Sequence, residues 1–99
     1  MEEVIYYSTL FDIYGSMLTE RQKSVFESYY FENLTLDEIA LFDGVSKSSV
    51  AKTLKQIKNA LDEMESKLHF FKYMESLKKE FENEEDILIR ISKYDNIVV

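Results

Sequence analysis

Apolar residues along this chain recur at intervals of three and four, the spacing of a helix with one buried face. Val4, Tyr7, Leu10, Phe11, Tyr14 and Leu18 make such a face and predict a first helix from about Glu3 to Met17. Thr19-Glu20-Arg21-Gln22 then has the form of a capping box, in which a hydroxyl and a side chain three residues on satisfy free backbone N–H groups. It opens a second helix with Val25, Phe26, Tyr29 and Tyr30 inward, which should stop near Glu32-Asn33, where asparagine suits a left-handed cap. Thr35-Leu36-Asp37-Glu38 repeats the box and starts a short third helix that turns Leu36, Ile39 and Ala40 inward and ends at Asp43-Gly44.

Ser46 is the natural N-cap of a fourth helix. From there Val50, Leu54, Ile57, Leu61, Met64, Leu68 and Phe71 follow in alternating steps of four and three, a heptad seam that packs on another helix of the same chain or of a partner. A second stripe, Phe70, Met74, Leu77 and Phe81, is out of register with it, which places a bend near Lys67–His69. The acidic run Glu82 to Asp86 precedes a last helical segment with Ile87, Leu88, Ile91 and Tyr94 inward. With no proline and two glycines in 99 residues, nothing in the composition opposes long helices. One all-α domain, 1–99, is expected, with a core at about 19–66 and a helical extension at about 69–95.

Charge changes the picture in one place. The net charge is −7, which opposes a nonspecific grip on nucleic acid. Residues 1–46 hold nine acids against two bases, while 47–99 hold ten of each. Lys47, Lys52, Lys55 and Lys58 follow one another with no acid before Asp62. The bland alternative for this basic run is a solvated helix face.

Other chemistry is sparse. The absence of cysteine excludes disulfides and thiolate sites and suits a reducing compartment. The single histidine, His69, lacks the convergent partners of a metal site, and Glu82 to Asp86 lacks the spaced ligands and glycine of a calcium loop. Neither a phosphate loop nor an activated nucleophile is recognisable, so neither cofactor nor catalysis is expected. Tyr6, Tyr7, Tyr29 and Tyr30 have no interleaved basic groove and read as packing residues. No apolar run approaches a membrane span, and the acidic N-terminus is unlike a signal peptide, so a soluble cytoplasmic protein is expected.

The stretch LTLDEIALFDGVSKSSVAKTL, residues 34–54, has the spacing of a helix-turn-helix. Ala40 is small where two helices cross, Gly44 stands four positions later at the turn, and Val50 six positions further packs the second helix on the first. Residues 34–61, with Leu34-Thr35-Leu36 leading to Glu38-Ile39-Ala40 and Val45-Ser46 leading to Val50, resemble the promoter-reading helix-turn-helix of bacterial sigma factors. Upstream, LTERQKSVFESYYFENLTLDEIA (18–40) is similar to the YlxM family, small proteins whose genes commonly lie beside that of the signal recognition particle GTPase; the likeness covers roughly residues 1–70. The resemblance implies a sigma-70 region-four-like fold of the winged-helix-like DNA-binding superfamily type, with a long recognition helix and a C-terminal helical extension. It implies a non-enzymatic regulator connected with the signal recognition particle pathway.

Carried over by position, the groove-facing residues would be Lys47, Ser48, Ser49, Lys52 and Lys55, with Ser46 capping the helix and donating to a phosphate. Lys47 and Lys55 suit phosphates, while Ser48 and Ser49 would read base edges weakly. No arginine stands in this helix to read guanine. Where the family has an apolar residue just before the turn, this chain has Asp43, which either rotates the helix end or caps the turn. Two functions remain open: a regulator of double-stranded DNA, expected to be a homodimer through the long helix and the C-terminal helices, or an interaction module that keeps the fold without the DNA role. Components of the signal recognition particle are candidate partners.

Overall fold

A computed structural model describes residues 2–81 of the chain. The acidic run 82–86, the segment 87–94 and the end 95–99 lie outside the described residues. Those described form five α-helices: α1 (Glu2–Tyr14), α2 (Glu20–Tyr30), α3 (Leu36–Asp43), α4 (Lys47–Leu68) and α5 (Phe70–Glu80), with a 3-10 turn at Gly15–Met17. The architecture is the all-helical bundle expected.

Local chemistry starts three of these helices. The Thr19 hydroxyl accepts the Gln22 N–H at 3.1 Å while the Gln22 side chain accepts the Thr19 N–H at 3.0 Å. Thr35 and Glu38 repeat the arrangement at 3.1 and 2.9 Å. Ser46 Oγ accepts the Ser49 N–H at 3.1 Å. These bonds satisfy donors that a helix start leaves free. α2 ends at Tyr30, and Asn33 just beyond has φ +57°, a left-handed residue where one was expected. α3 ends on Gly44 at φ +69°, which a side chain would strain.

α4 is the spine, packed against α1, α2 and α3. Leu10, Val25, Phe26, Val50, Ile57 and Leu61 are wholly buried along it. Phe26 stacks on Phe11 with ring centroids 4.3 Å apart and on Tyr30 at 4.4 Å, tying α1 to α2. Burying side chains of this size contributes about 2 kcal/mol each. On α1 the expected face is inward from Tyr7 to Leu18, with Ile13 buried beside it, while Val4, near the start of the helix, is half exposed.

The heptad seam fails at one position. Val50, Leu54, Ile57 and Leu61 are buried as expected and Met64 and Phe71 pack against the core, but Leu68 is 58% exposed, and Glu65 beside the seam is buried. The chain turns at His69, whose φ of +53° ends α4 and lets α5 start in a new direction. Glu65 holds that turn. Its Oε1 accepts the Tyr14 hydroxyl at 2.7 Å and the Phe71 N–H at 3.0 Å, and its Oε2 accepts the Lys72 N–H at 3.1 Å. The Phe70 N–H donates to Tyr14 Oη at 3.2 Å. A buried carboxylate with three donors is satisfied. Phe71 meets Tyr6 edge-on at 5.4 Å, which lays α5 against α1.

Candidate nucleic-acid interface

The turn and the start of α4 follow from short-range contacts. Gly44 lets the chain reverse, and the Val45 N–H donates to the Ala40 carbonyl at 3.0 Å. Ser46 begins α4, and Val50, wholly buried, seats it on the bundle. The exposed face of the first three turns is then fixed by helical spacing. Ser48, Lys52 and Lys55 lie at i, i+4 and i+7, on one side of α4 and opposite the buried line of Val50, Leu54 and Ile57.

The six residues singled out in the sequence are therefore not equivalent. Ser48, Lys52 and Lys55 are exposed together, and neither lysine has an acidic partner among the described residues. Ser49 is half-buried; its carbonyl accepts the Thr53 hydroxyl at 3.0 Å. The Ser46 hydroxyl serves as the cap and lies 3.1 Å from Ser48 Oγ. Lys47 stands toward α3, with Nζ 3.6 Å from Asp37 Oδ2. Both side chains of that pair are well exposed, so the contact is weak and exchangeable.

Lys58, the last of the basic run, belongs to the interior edge of the bundle. It pairs with Glu3, and its ammonium lies 5.5 Å from the Tyr7 ring centroid and 6.0 Å from that of Tyr30. The Glu3 partner holds the lysine's pKa above its ordinary range, and the same bond lowers that of Glu3. One turn on, Tyr7 Oη donates to Asp62 at 2.8 Å; burial first and this bond second push the tyrosine up to about 12. These contacts fasten α1 to α4 and take Lys58 out of the free basic face.

Asp43 makes no side-chain capping bond to the turn. Its carboxylate reaches back to Arg21 of α2 at 3.3 Å, and Phe42 projects outward, 90% exposed. Sequence inspection missed two residues that shape the face: Asp37, assigned only to the helix dipole, and Glu3, fifty-five positions before its lysine. A carboxylate one turn from a cap hinted at the first; nothing local hinted at the second. Among the described residues no cluster of three His, Cys, Asp or Glu could hold a metal ion, and no helix is long and apolar enough to cross a membrane.

A helix-turn-helix with this exposed second helix agrees with what the chain resembles as a whole. The profile of one family, UPF0122, described as "Putative helix-turn-helix protein, YlxM / p13 like", matches residues 1–97. The chain belongs to that family. A UPF0122 protein of Symbiobacterium thermophilum is 43% identical over 70 residues, 71% of this chain and 65% of the relative. One from Malacoplasma penetrans is 41% identical over 73 residues, 74% of this chain and 67% of the relative. One from Clostridium acetobutylicum is 35% identical over 98% of this chain and 87% of its own length. The chain thus spans about two thirds of the first two relatives. No solved structure matches it.

Proposed function

We propose that this UPF0122 protein is a DNA-binding regulator that lays the first half of α4 in the major groove. The observation that carries the proposal is the common exposure of Ser48, Lys52 and Lys55 on the second helix of a helix-turn-helix, with no acid paired to either lysine among the described residues. Lys52 and Lys55 would take phosphates, Ser48 would reach a base edge, and half-buried Ser49 would contribute at its margin. Lys47 would exchange Asp37 for a phosphate, and the Ser46 hydroxyl can donate outward while it caps. With no arginine in α4, most of the affinity is electrostatic and salt-sensitive.

Resemblance to sigma factors supplies the region-four-like docking pose, resemblance to the YlxM family supplies the link to the signal recognition particle pathway, and the lack of cysteine supports a cytoplasmic setting. A homodimer through α4 and the C-terminal helices would place two reading helices on successive groove faces. Exposed Leu68 and Tyr73 favour such a contact. The chemistry proposed is binding, without catalysis and without a cofactor.

A second proposal has its own support: the protein keeps the fold and binds protein partners instead. Two of the four lysines in the basic run already meet carboxylates, Lys47 that of Asp37 and Lys58 that of Glu3. Fluorescence anisotropy with duplex from upstream of the protein's own operon and a scrambled duplex separates the two. For a regulator, the operon duplex binds more tightly, and Lys52→Ala with Lys55→Ala lowers the salt slope by about two. Equal, weak, salt-erased binding to both duplexes would overturn the DNA proposal.

A further inference from the structure

The outer face of α3 takes no part in the proposed DNA contact. Ile39 and Ala40 point into the core, so helical spacing sends Asp37, Glu38, Leu41 and Phe42 outward. Leu41 is 85% exposed and Phe42 90%, with Val45 beside them at 36%. Two large apolar side chains standing almost entirely in water one after the other mark a contact surface rather than ordinary surface scatter. Phe42 also borders a groove of about 290 Å³ between α2 and α3, which Ser28, Glu32 and Ile39 help to line. That is room for an anchoring side chain.

The charges around this patch choose its occupant. The nearby bases are already matched: Arg21 lies against Asp43 and Lys47 against Asp37. Glu32 and Glu38 are exposed and meet no base among the described residues. An apolar pair with unmatched acids at its edge repels DNA and anionic lipid. A two-fold contact between copies would set acid on acid, and contact with the lysine face of another copy would be head-to-tail, giving rings or open filaments rather than a two-fold dimer.

We propose that Leu41 and Phe42 dock a basic amphipathic helix of a partner protein, with apolar residues of the partner closing over the pair and its Lys or Arg residues meeting Glu32 and Glu38. This mode of recognition uses one apolar stripe and flanking charges. The site is separate from the lysine face of α4, so it stands whether or not DNA is bound.

The full chain can be titrated by fluorescence anisotropy with three labelled synthetic peptides of about 20 residues. The first carries a leucine stripe flanked by lysines, the second has glutamates for those lysines, and the third is a scramble of the first without a stripe. The first should bind about tenfold or more tightly than the others. Leu41→Ala with Phe42→Ala should weaken it about tenfold, the scale of central contact residues. Glu32→Gln with Glu38→Gln should weaken it about threefold and flatten its salt dependence; glutamine at 38 preserves the capping box. Glu75→Gln with Glu80→Gln, exposed on α5, and Lys52→Ala with Lys55→Ala should leave it unchanged. Equal binding of the scramble, equal loss from the α5 pair, or no loss from Leu41→Ala with Phe42→Ala overturns the proposal. So does a fall in the molar mass of the protein alone, by light scattering, when Phe42 is replaced, since the occupant would then be a second copy.

Discussion

The start of α4 and the start of α5 face the same physical problem and meet it by different routes. Both must satisfy backbone N–H groups that a first helical turn leaves without partners. At α4 the acceptor is Ser46, the residue next door. At α5 the residue next door is His69, which makes no capping bond, and the acceptors are Glu65 from the helix before and Tyr14 from α1. The start of α4 is therefore set by the adjacent residue, whereas that of α5 depends on Glu65, six and seven residues back, and on Tyr14, more than fifty residues back. Loss of Tyr14 or Glu65 should loosen α5 before it loosens α4.

The largest effect should come from breaking the long-range arrangement. Glu65→Ala strands the Phe71 and Lys72 N–H groups and the Tyr14 hydroxyl, and should cost about 3 kcal/mol in urea unfolding. Hydrogen exchange should accelerate at Phe71 and Lys72 while Ser49 keeps its protection. Full protection of α5 in that variant would mean that the Phe71–Tyr6 contact holds it alone. Tyr14→Phe removes one donor and one acceptor and should cost about 1.5 kcal/mol.

The same tyrosine gives a pH signature. Burial, and then the bond to Glu65, push Tyr14 up to about 12, as burial and Asp62 do for Tyr7. A raised folded pKa favours the protonated form, so this stabilisation is complete below the ordinary value near 10 and is lost as pH rises from there through about 12. Burial raises Tyr6 and Tyr30 as well, so an ultraviolet titration should show a group of late tyrosines with Tyr7 and Tyr14 among the last. Tyr14→Phe should remove one of these from the late end.

Local caps should respond more gently. Thr35→Ala and Ser46→Ala should each cost about 1 kcal/mol, with loss of protection confined to the helix that each begins. Gly44→Ala meets no atom within 4 Å, so its cost, about 1 kcal/mol, comes from the positive φ alone. Asp37→Asn should hardly move stability and, where DNA binds, should raise affinity about twofold by freeing Lys47. No change in affinity would remove Lys47 from the interface.

Much of the helix-turn-helix was legible in the chain because its determinants are neighbours. Thr19, Thr35 and Ser46 meet their partners within three residues, Gly44 and Asn33 have the backbone angles their residue types favour, and Val50 to Leu61 obey the helical period. The same period misled at Leu68: a seven-residue pattern records apolar spacing and carries no information about where the neighbouring helix stops covering it. The bend near 67–69 was visible as a change of stripe, but its cause, a carboxylate four residues earlier receiving two amides and a phenol, was not.

The candidate interface divides the same way. The sequence by itself determined that Ser46 caps α4 and that Val50, Leu54, Ile57 and Leu61 share its inward line, since those follow from capping chemistry and from 3.6 residues per turn; it did not separate Ser48, Lys52 and Lys55 from Lys47 and Ser49. Only the tertiary structure decided that Lys58 is taken by Glu3, that Lys47 meets Asp37, that Asp43 serves Arg21 and leaves Phe42 in water, and that Glu65 is buried. Each of those facts is a pairing between elements. The energy of such a pair depends on a distance that chain order does not set, because helices at very different positions in sequence can be brought within 3 Å only by packing on a common core.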